Sequence, residues 1–262
     1  MSPSELLPWF SPRLSPAVCR VIQSLGRRVV LERGQTLGAA SFFKRLVFVQ
    51  EGFLAQGVIN PEGSRLLMLS LSGPGSLGPS SGAVDSLDNL TRRYWAATHC
   101  EVLTLIPEIL LRLSEVDERL NQELSAYAIR HAMSERLALM LSQAADPEQR
   151  LGVFLVSLLA AGGGEDMEKI AARSRWVTLK VLPSRKLVRA MLGTEHGAIG
   201  RTIKKWLAED VLRWEKGVFN MRSDRLLSYW QWMRPFVQLH ERMVPMMREE
   251  KVFDRLDLDV GQ

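Results

Sequence analysis

The feature that most constrains the fold is a long central stretch, from Glu108 to Asp146, that contains neither glycine nor proline. Pro107 precedes it and suits the first turn of a helix, and Pro147 follows it and can start another. Large apolar residues recur through the stretch at the spacing of one helical face. The sequence therefore predicts a single amphipathic helix over 107–145.

A helix of this length would span roughly 50 Å at about 1.5 Å per residue, which is more than one small β domain covers. We therefore expect a second copy of the chain to cover the apolar stripe in a homodimer. Burial of the stripe within the same chain is the alternative. The residues assigned to the dimer contact are Leu113, Leu120, Leu124, Tyr127 and Leu141.

The residues before this helix have the pattern of short strands separated by turns. The predicted strands cover 28–33, 46–50, 53–59 and 65–71, with one further strand over 94–105. The turn at Asn60-Pro61-Glu62-Gly63 is typical of a hairpin, and strands repeated at this spacing favour an antiparallel sandwich or barrel.

The residues after Pro147 are predicted to form a helix over 148–161, a glycine-rich linker over 162–166, and further helices that end in a hairpin. Within them, 184–207 has the pattern of a helix-turn-helix. Ser184 can cap the first helix and Gly193 permits a tight turn, while apolar residues face inward from both helices. The second helix is predicted to expose Glu195, His196, Arg201, Lys204 and Lys205.

A predicted hairpin follows the two helices, over 211–221, with Lys216 and Gly217 at its tip. Such a hairpin would form a wing whose lysine contacts a phosphate. The surrounding charge agrees, because residues 170–225 contain thirteen Lys and Arg against five Asp and Glu. A polyanionic partner is one interpretation of this excess, since cations that neutralise phosphates release counterions. A solvated basic surface is the other.

In this order along the chain, several short motifs resemble the Crp/Fnr superfamily of bacterial transcription regulators over about residues 25–225. They are Gly34-Gln35-Thr36-Leu37, Phe48 to Gly52, Pro61-Glu62-Gly63, Gly75 to Gly78, Ala97 to Val102, Gly193, and Ile199-Gly200-Arg201. The resemblance implies an α+β fold with a cyclic-nucleotide-binding-like β-roll (1–106), a dimerisation helix (107–145) and a winged helix-turn-helix (146–225). Residues 226–262 form a helical extension that we expect to dock on the chain itself.

The resemblance implies double-stranded DNA and a second copy of the chain as partners, with RNA polymerase as a further candidate. Arg185 at the start of the first helix and Arg201 in the recognition helix match positions that contact DNA in the family. Ser184, Glu195, His196, Lys204, Lys205 and Lys216 complete the predicted DNA-binding set.

Two departures from the family pattern bear on the DNA-binding unit. Gly197 replaces a glutamate of the recognition helix, and Arg189 stands where the first helix usually has alanine or glycine. A bulky side chain at Arg189 must point outward or spread the two helices. These departures support the alternative function, a protein-interaction module of the same fold that has lost specific DNA binding.

Further departures lie in the sensor half. The positions that bind a cyclic nucleotide read Gly78-Pro79 and Leu90-Thr91, without the expected carboxylate and arginine. We therefore predict no response to cyclic AMP, although Arg92 and Arg93 lie close by.

Other classes of protein and site find little support in the sequence. Two cysteines cannot hold an iron–sulfur cluster within one chain, and four scattered histidines lack metal-ligand spacing. No enzyme motif is visible, so we expect no catalytic site, metal or cofactor. The sequence has neither a secretory signal nor an apolar run long enough for a membrane helix, so a cytoplasmic protein is expected.

Overall fold

The computed structural model of this chain describes residues 6–36, 45–59, 66–78, 91–163, 167–179, 182–215 and 218–249. Its N-terminal half is built on two facing antiparallel sheets. One sheet has the order β1-β7-β2-β5 and the other the order β4-β3-β6. The strands are β1 (Arg27–Leu31), β2 (Leu46–Glu51), β3 (Leu54–Ile59), β4 (Leu66–Ser72), β5 (Leu77–Gly78), β6 (Thr91–Ala96) and β7 (Cys100–Leu105).

The two sheets enclose a common apolar core. Leu31, Val49 and Val102 of the first sheet pack with Leu54 and Ala96 of the second, and all five are almost fully buried. Alternating apolar residues in strands predict this arrangement, because every second side chain points to the same face. The predicted β-roll is confirmed.

The strand predicted over 94–105 is in fact two strands, β6 and β7, one in each sheet. The chain bends at Thr98, whose Oγ1 accepts a hydrogen bond from the Phe53 amide at 2.9 Å. Gly52 lies against the bend, and a Cβ there would come within 2.0 Å of the His99 carbonyl oxygen. The glycine therefore allows the two turns to approach closely.

The N-terminal residues form a part of the core that the sequence did not predict. Phe10 packs against Phe53 of the roll and Phe154 of the C-terminal half, with ring centroids 6.0 and 5.6 Å apart. Helix α1 (Pro16–Leu25) follows, with Ser15 as its N-cap. This segment thus joins the roll to the rest of the molecule.

The long central helix is interrupted, which corrects the prediction of one helix over 107–145. Helix α2 (Pro107–Val116) and helix α3 (Glu118–Ala144) meet at Asp117. The Asp117 carboxylate accepts from the amides of Arg119 and Leu120, at 3.0 and 3.2 Å. Aspartate is a strong N-cap, so it starts a new helix where the apolar pattern alone suggested continuity.

The predicted dimer stripe is largely covered within the chain, which is the alternative that the sequence left open, and the homodimer stays a prediction. Leu120 and Tyr127 are buried against the roll, where Leu113 and Leu124 also pack, and Leu141 is fully buried in the C-terminal core. The Tyr127 hydroxyl donates to the Leu77 carbonyl at 2.7 Å and accepts from the Leu77 amide at 3.0 Å. Helix α3 is thereby fixed on β5.

The C-terminal half consists of helices around a three-stranded sheet of order β8-β10-β9. The elements are α4 (Pro147–Gly163), α5 (Met167–Arg173), β8 (Trp176–Leu179), α6 (Arg185–Leu192), α7 (Ala198–Ala208), β9 (Leu212–Glu215), β10 (Val218–Arg222) and α8 (Ser223–Glu249). Helix α8 lies on α4, with Leu226, Trp230 and Met233 buried, so the expected docking of the extension on its own chain is confirmed for the part of it that the structure describes. Within the described ranges, no helix is both long and apolar enough to cross a membrane.

Candidate nucleic-acid interface

Helix α6 begins and ends as its sequence predicts. The Ser184 hydroxyl accepts from the Leu187 amide at 3.2 Å and so caps the first turn. Val188 and Leu192 are buried, which holds the helix on the core, while Arg185 and Lys186 are exposed at its N-terminal end. The helix therefore presents two cations beside its free backbone amides, and both features attract an anion.

The turn after α6 depends on Gly193, which has φ 56° and ψ 35°. This left-handed conformation favours glycine, as the sequence predicts. Arg150 of α4 ties the turn to the start of α4. Its guanidinium donates to the carbonyl oxygens of Leu192, at the end of α6, and of Ala145, both at 2.9 Å. No sequence pattern indicates this contact, which links residues far apart in the chain.

Helix α7 begins later than predicted. Gly197 has φ 88°, which lies outside the helical region, so the helix starts at Ala198. Glu195 and His196 consequently lie in the turn and not on the second helix, although both are exposed as predicted. Of the five residues predicted on the second helix, only Arg201, Lys204 and Lys205 lie on it.

The buried side of α7 is formed by Ile199, Thr202 and Trp206, and Arg201 and Lys204 are exposed. Arg201 folds toward the start of the helix, since its Nη1 would lie 3.3 Å from a Cβ at Gly197. The glycine therefore supplies both a backbone angle and space for the arginine. The predicted outward orientation of Arg201 and Lys204 is present.

Arg189 does not spread the two helices. Its side chain is half-exposed and reaches His196, with Nη1 2.6 Å from Nδ1. A guanidinium has no hydrogen-bond acceptor, so Nδ1 of His196 must accept and the ring hydrogen of the neutral form lies on Nε2. The pair leaves an N–H of His196 as a donor away from Arg189.

Glu148 at the start of α4 connects several helices, which the sequence did not reveal. Its carboxylate accepts from Lys205 Nζ at 2.7 Å and Trp206 Nε1 at 3.0 Å, both on α7. It also accepts from Arg225 Nη2 at 2.8 Å and Tyr229 Oη at 3.1 Å, both on α8. One carboxylate thus connects α4, α7 and α8.

The electrostatics of Glu148 follow from these contacts. Burial alone would raise its pKa, but the four donors outweigh that effect and lower the pKa to about 2. The same carboxylate raises the pKa of Lys205. Lys205 is exposed, as the sequence predicts, but Glu148 holds its ammonium in an ion pair.

The predicted hairpin is present as β9 and β10, in antiparallel pairing. Its tip, Lys216 and Gly217, lies outside the described residues. Arg213 pairs with Asp210 at 2.7 Å, and Arg222 pairs with Asp224. These acids neutralise part of the positive charge that the sequence assigned to this region.

Four of the remaining exposed cations lie on α6 and α7. Arg185, Lys186, Arg201 and Lys204 are exposed, and none has a carboxylate within ion-pair distance in the part of the chain that the structure describes. They form the basic surface, defined by these four residues. No group of three or more His, Cys, Asp or Glu within the described ranges is placed to hold a metal ion.

The positions compared with a cyclic-nucleotide site lie mainly outside the described residues. Pro79 and Leu90 are not described, and neither are the side chains of Thr91 and Arg92. Arg93 is exposed on β6. The absence of a cyclic AMP response therefore stays a prediction.

Comparison with solved structures identifies the architecture. FixK2 from Bradyrhizobium japonicum is 14% identical and aligns with a TM-score of 0.59 over 78% of this chain and 97% of its own. CprK in complex with OCPA is 14% identical, with a TM-score of 0.55 over 87% of this chain and 99% of its own. The chain has the Crp/Fnr fold.

A third structure with this Crp/Fnr fold is a cyclic nucleotide-binding domain containing protein from Listeria monocytogenes. It is 15% identical, with a TM-score of 0.55 over 79% of this chain and 97% of its own. No protein-family model and no curated protein matches the chain by sequence. At such identities the likeness concerns the fold alone.

Proposed function

We propose that this chain is a divergent Crp/Fnr transcription regulator that binds specific double-stranded DNA as a homodimer. The observation that carries the proposal is the basic surface on two helices joined by a tight turn. Helix α7 projects Arg201 and Lys204 away from a buried face that includes Trp206. A helix held in this way fits the major groove, which admits an α-helix.

The four cations of the basic surface take two roles. Arg201 is the candidate base reader, because a guanidinium can donate two hydrogen bonds to the O6 and N7 atoms of a guanine. Arg185, Lys186 and Lys204 are assigned to phosphates, which position the protein without selecting a sequence. His196 adds an N–H donor in the turn, while Lys205 serves to hold α7 on Glu148.

The homodimer is assigned to the outer side of α3 in place of the buried stripe. Ser125, Ala128, Ala132 and Leu139 follow one another at helical spacing and are exposed. Small side chains allow two helices to approach closely, and Leu139 adds apolar area. Ala132→Glu is expected to convert the dimer to monomer in sedimentation velocity, whereas an unchanged dimer would reject this face.

The proposal is tested by selecting double-stranded DNA from a random pool at moderate salt. Enrichment of a two-fold symmetric sequence is expected from a dimer with two recognition helices. Arg201→Ala should weaken binding to that sequence by about 1–3 kcal/mol. Arg112→Ala, which removes an exposed arginine of α2, is the matched control and should bind as the unaltered protein does.

The rival function is the protein-interaction module without specific DNA binding. The main structural feature in its favour was Arg189, and the outward contact of Arg189 with His196 removes the expected clash between the helices. Absence of any enriched sequence in the selection would favour this rival.

A further inference from the structure

A cavity of about 740 Å³ lies between the β-roll and the C-terminal half. Ligand sites in proteins are commonly clefts of roughly 300–1,000 Å³ at the contact between two parts of a fold. The walls of this cavity come from both halves, so an occupant would touch the roll and the DNA-binding unit together. The proposed DNA contact assigns no role to it.

The wall on the side of the roll is formed where three connections meet. Arg33 follows β1, Glu51 ends β2 and Gly52 leads from it to β3, and Thr98 and His99 join β6 to β7. Two contacts fix the second and third connections to each other: the Phe53 amide donates to Thr98 Oγ1, and Gly52 packs against the His99 carbonyl. This wall is therefore formed in advance of any ligand.

The opposite wall is apolar. It is made by the end of α4, by α5, by β8 and by the residues before α6. Leu158 and Leu179 are almost fully buried there, and Leu159, Ile170 and Leu182 are half-buried around them. Such a surface binds the hydrocarbon part of a ligand, because covering it removes apolar area from water.

The charges at the roll side indicate the head group of that ligand. Arg33 is exposed and has no carboxylate partner among the described residues. His99, in contrast, has its Nδ1 3.5 Å from Glu32 Oε2 and so already lies beside a carboxylate. Glu51 is the opposing charge in the lining. A guanidinium binds a carboxylate or sulfonate through two parallel hydrogen bonds, and the chain as a whole is positively charged.

We propose that this cavity binds a small organic anion, with its apolar body against the leucine wall and its carboxylate or sulfonate at Arg33. Glu51 limits the affinity by repulsion and excludes ligands whose negative charge lies on that side. The inference is independent of DNA binding.

The test uses the anionic dye 8-anilinonaphthalene-1-sulfonate as a probe, titrated against the full chain and followed by fluorescence. One saturable site per chain is expected. Arg33→Gln should weaken it about tenfold, the usual value of a hydrogen bond to a charged group. Arg28→Gln is the matched control, because Arg28 is paired with Glu101 at 2.6 Å and lies outside the lining. It should change the affinity less than about twofold.

Two further variants test the location of the site and the effect of the Glu51 charge, and a third serves as a control. Gly163 lines the cavity and has open space around an added Cβ, so Gly163→Trp should block the dye while circular dichroism shows an intact fold. Val116→Trp, at an exposed position of α2, should bind the dye normally. Glu51→Gln should strengthen binding by about two- to threefold, since it removes a repulsive charge.

Competition separates the chemical classes. Octanoate is expected to displace the dye, and octylammonium is not. Dye binding that survives both Gly163→Trp and Arg33→Gln would overturn the site, and displacement by octylammonium in preference to octanoate would overturn the anion assignment.

Discussion

Replacing Glu148 by alanine should destabilise the C-terminal half, because this one carboxylate connects three helices. The lowering of its pKa to about 2 corresponds to roughly 3 kcal/mol in favour of the charged form. The carboxylate keeps 20% of its side chain in contact with water, so this figure is an upper limit. Removal also leaves Trp206 Nε1, in a fully buried residue, without its acceptor, which costs about 1–3 kcal/mol.

We therefore expect Glu148→Ala to lower the free energy of unfolding by about 2–3 kcal/mol, measured by urea denaturation followed by circular dichroism. The matched control is Glu168→Ala. Glu168 pairs with Arg234 at 2.9 Å and so also connects α8 to a neighbouring helix, but both side chains are more than 40% exposed. Its loss should cost about 0–1 kcal/mol. Equal effects of the two variants would refute the assignment of Glu148 as the connection between α4, α7 and α8.

The pH dependence of this effect has a definite sign. A carboxyl whose pKa is lowered by folding stabilises the protein above its unfolded pKa, and that contribution disappears as the pH falls through the folded value. The stability difference between the unaltered protein and Glu148→Gln should therefore be constant above about pH 4.5 and shrink between pH 4.5 and about 2. A difference that grows on acidification would contradict the lowered pKa of Glu148.

Three more predictions concern single residues. Gly152→Ala would place a Cβ within 2.3 Å of the Tyr229 ring, so it should cost about 1–3 kcal/mol in urea denaturation; a change below about 0.5 kcal/mol would show that α8 docks differently. Gly197→Ala forces alanine to φ 88° against Arg201 and should cost about 1 kcal/mol, whereas Gly163→Ala, without such an angle, should be close to neutral by the same measurement. Burial raises the pKa of the fully buried Cys100 thiol, so Ellman's reagent should react with it only on unfolding, and rapid reaction of the native thiol would be inconsistent with this packing.

The sequence was most informative where a local signal decides the structure. Ser184 and Gly193 set the ends of α6 through their own side chain or backbone, and the structure places both as predicted. Asp117 and Gly197 are equally local signals, but the apolar pattern around them predicted a continuous helix and an earlier helix start. The first caps a new helix, and the second delays the start of α7.

Contacts between distant segments could not be predicted in this way. Glu148 lies 57 residues before Lys205 and 77 before Arg225, and nothing in the spacing of these residues indicates that they meet. The same limit explains the dimer stripe, because its cover comes from the roll and from N-terminal residues such as Leu14 that the sequence did not assign to any element. The sequence gives the number of basic residues, but only the folded structure shows which of them form ion pairs with acidic residues.

The most direct test of DNA recognition by α7 is a loss-of-contact experiment on the selected DNA. Binding of the unaltered protein and of Arg201→Ala is measured by fluorescence anisotropy on the selected sequence and on variants changed at one symmetric pair of base positions at a time. For the unaltered protein each change in a contacted pair should cost about 1–3 kcal/mol. For Arg201→Ala, changing the base at one such position should no longer alter the binding free energy, while changes at the other positions should cost as much as before. If every position is still discriminated as before, Arg201 does not read the DNA and the proposed orientation of α7 is wrong.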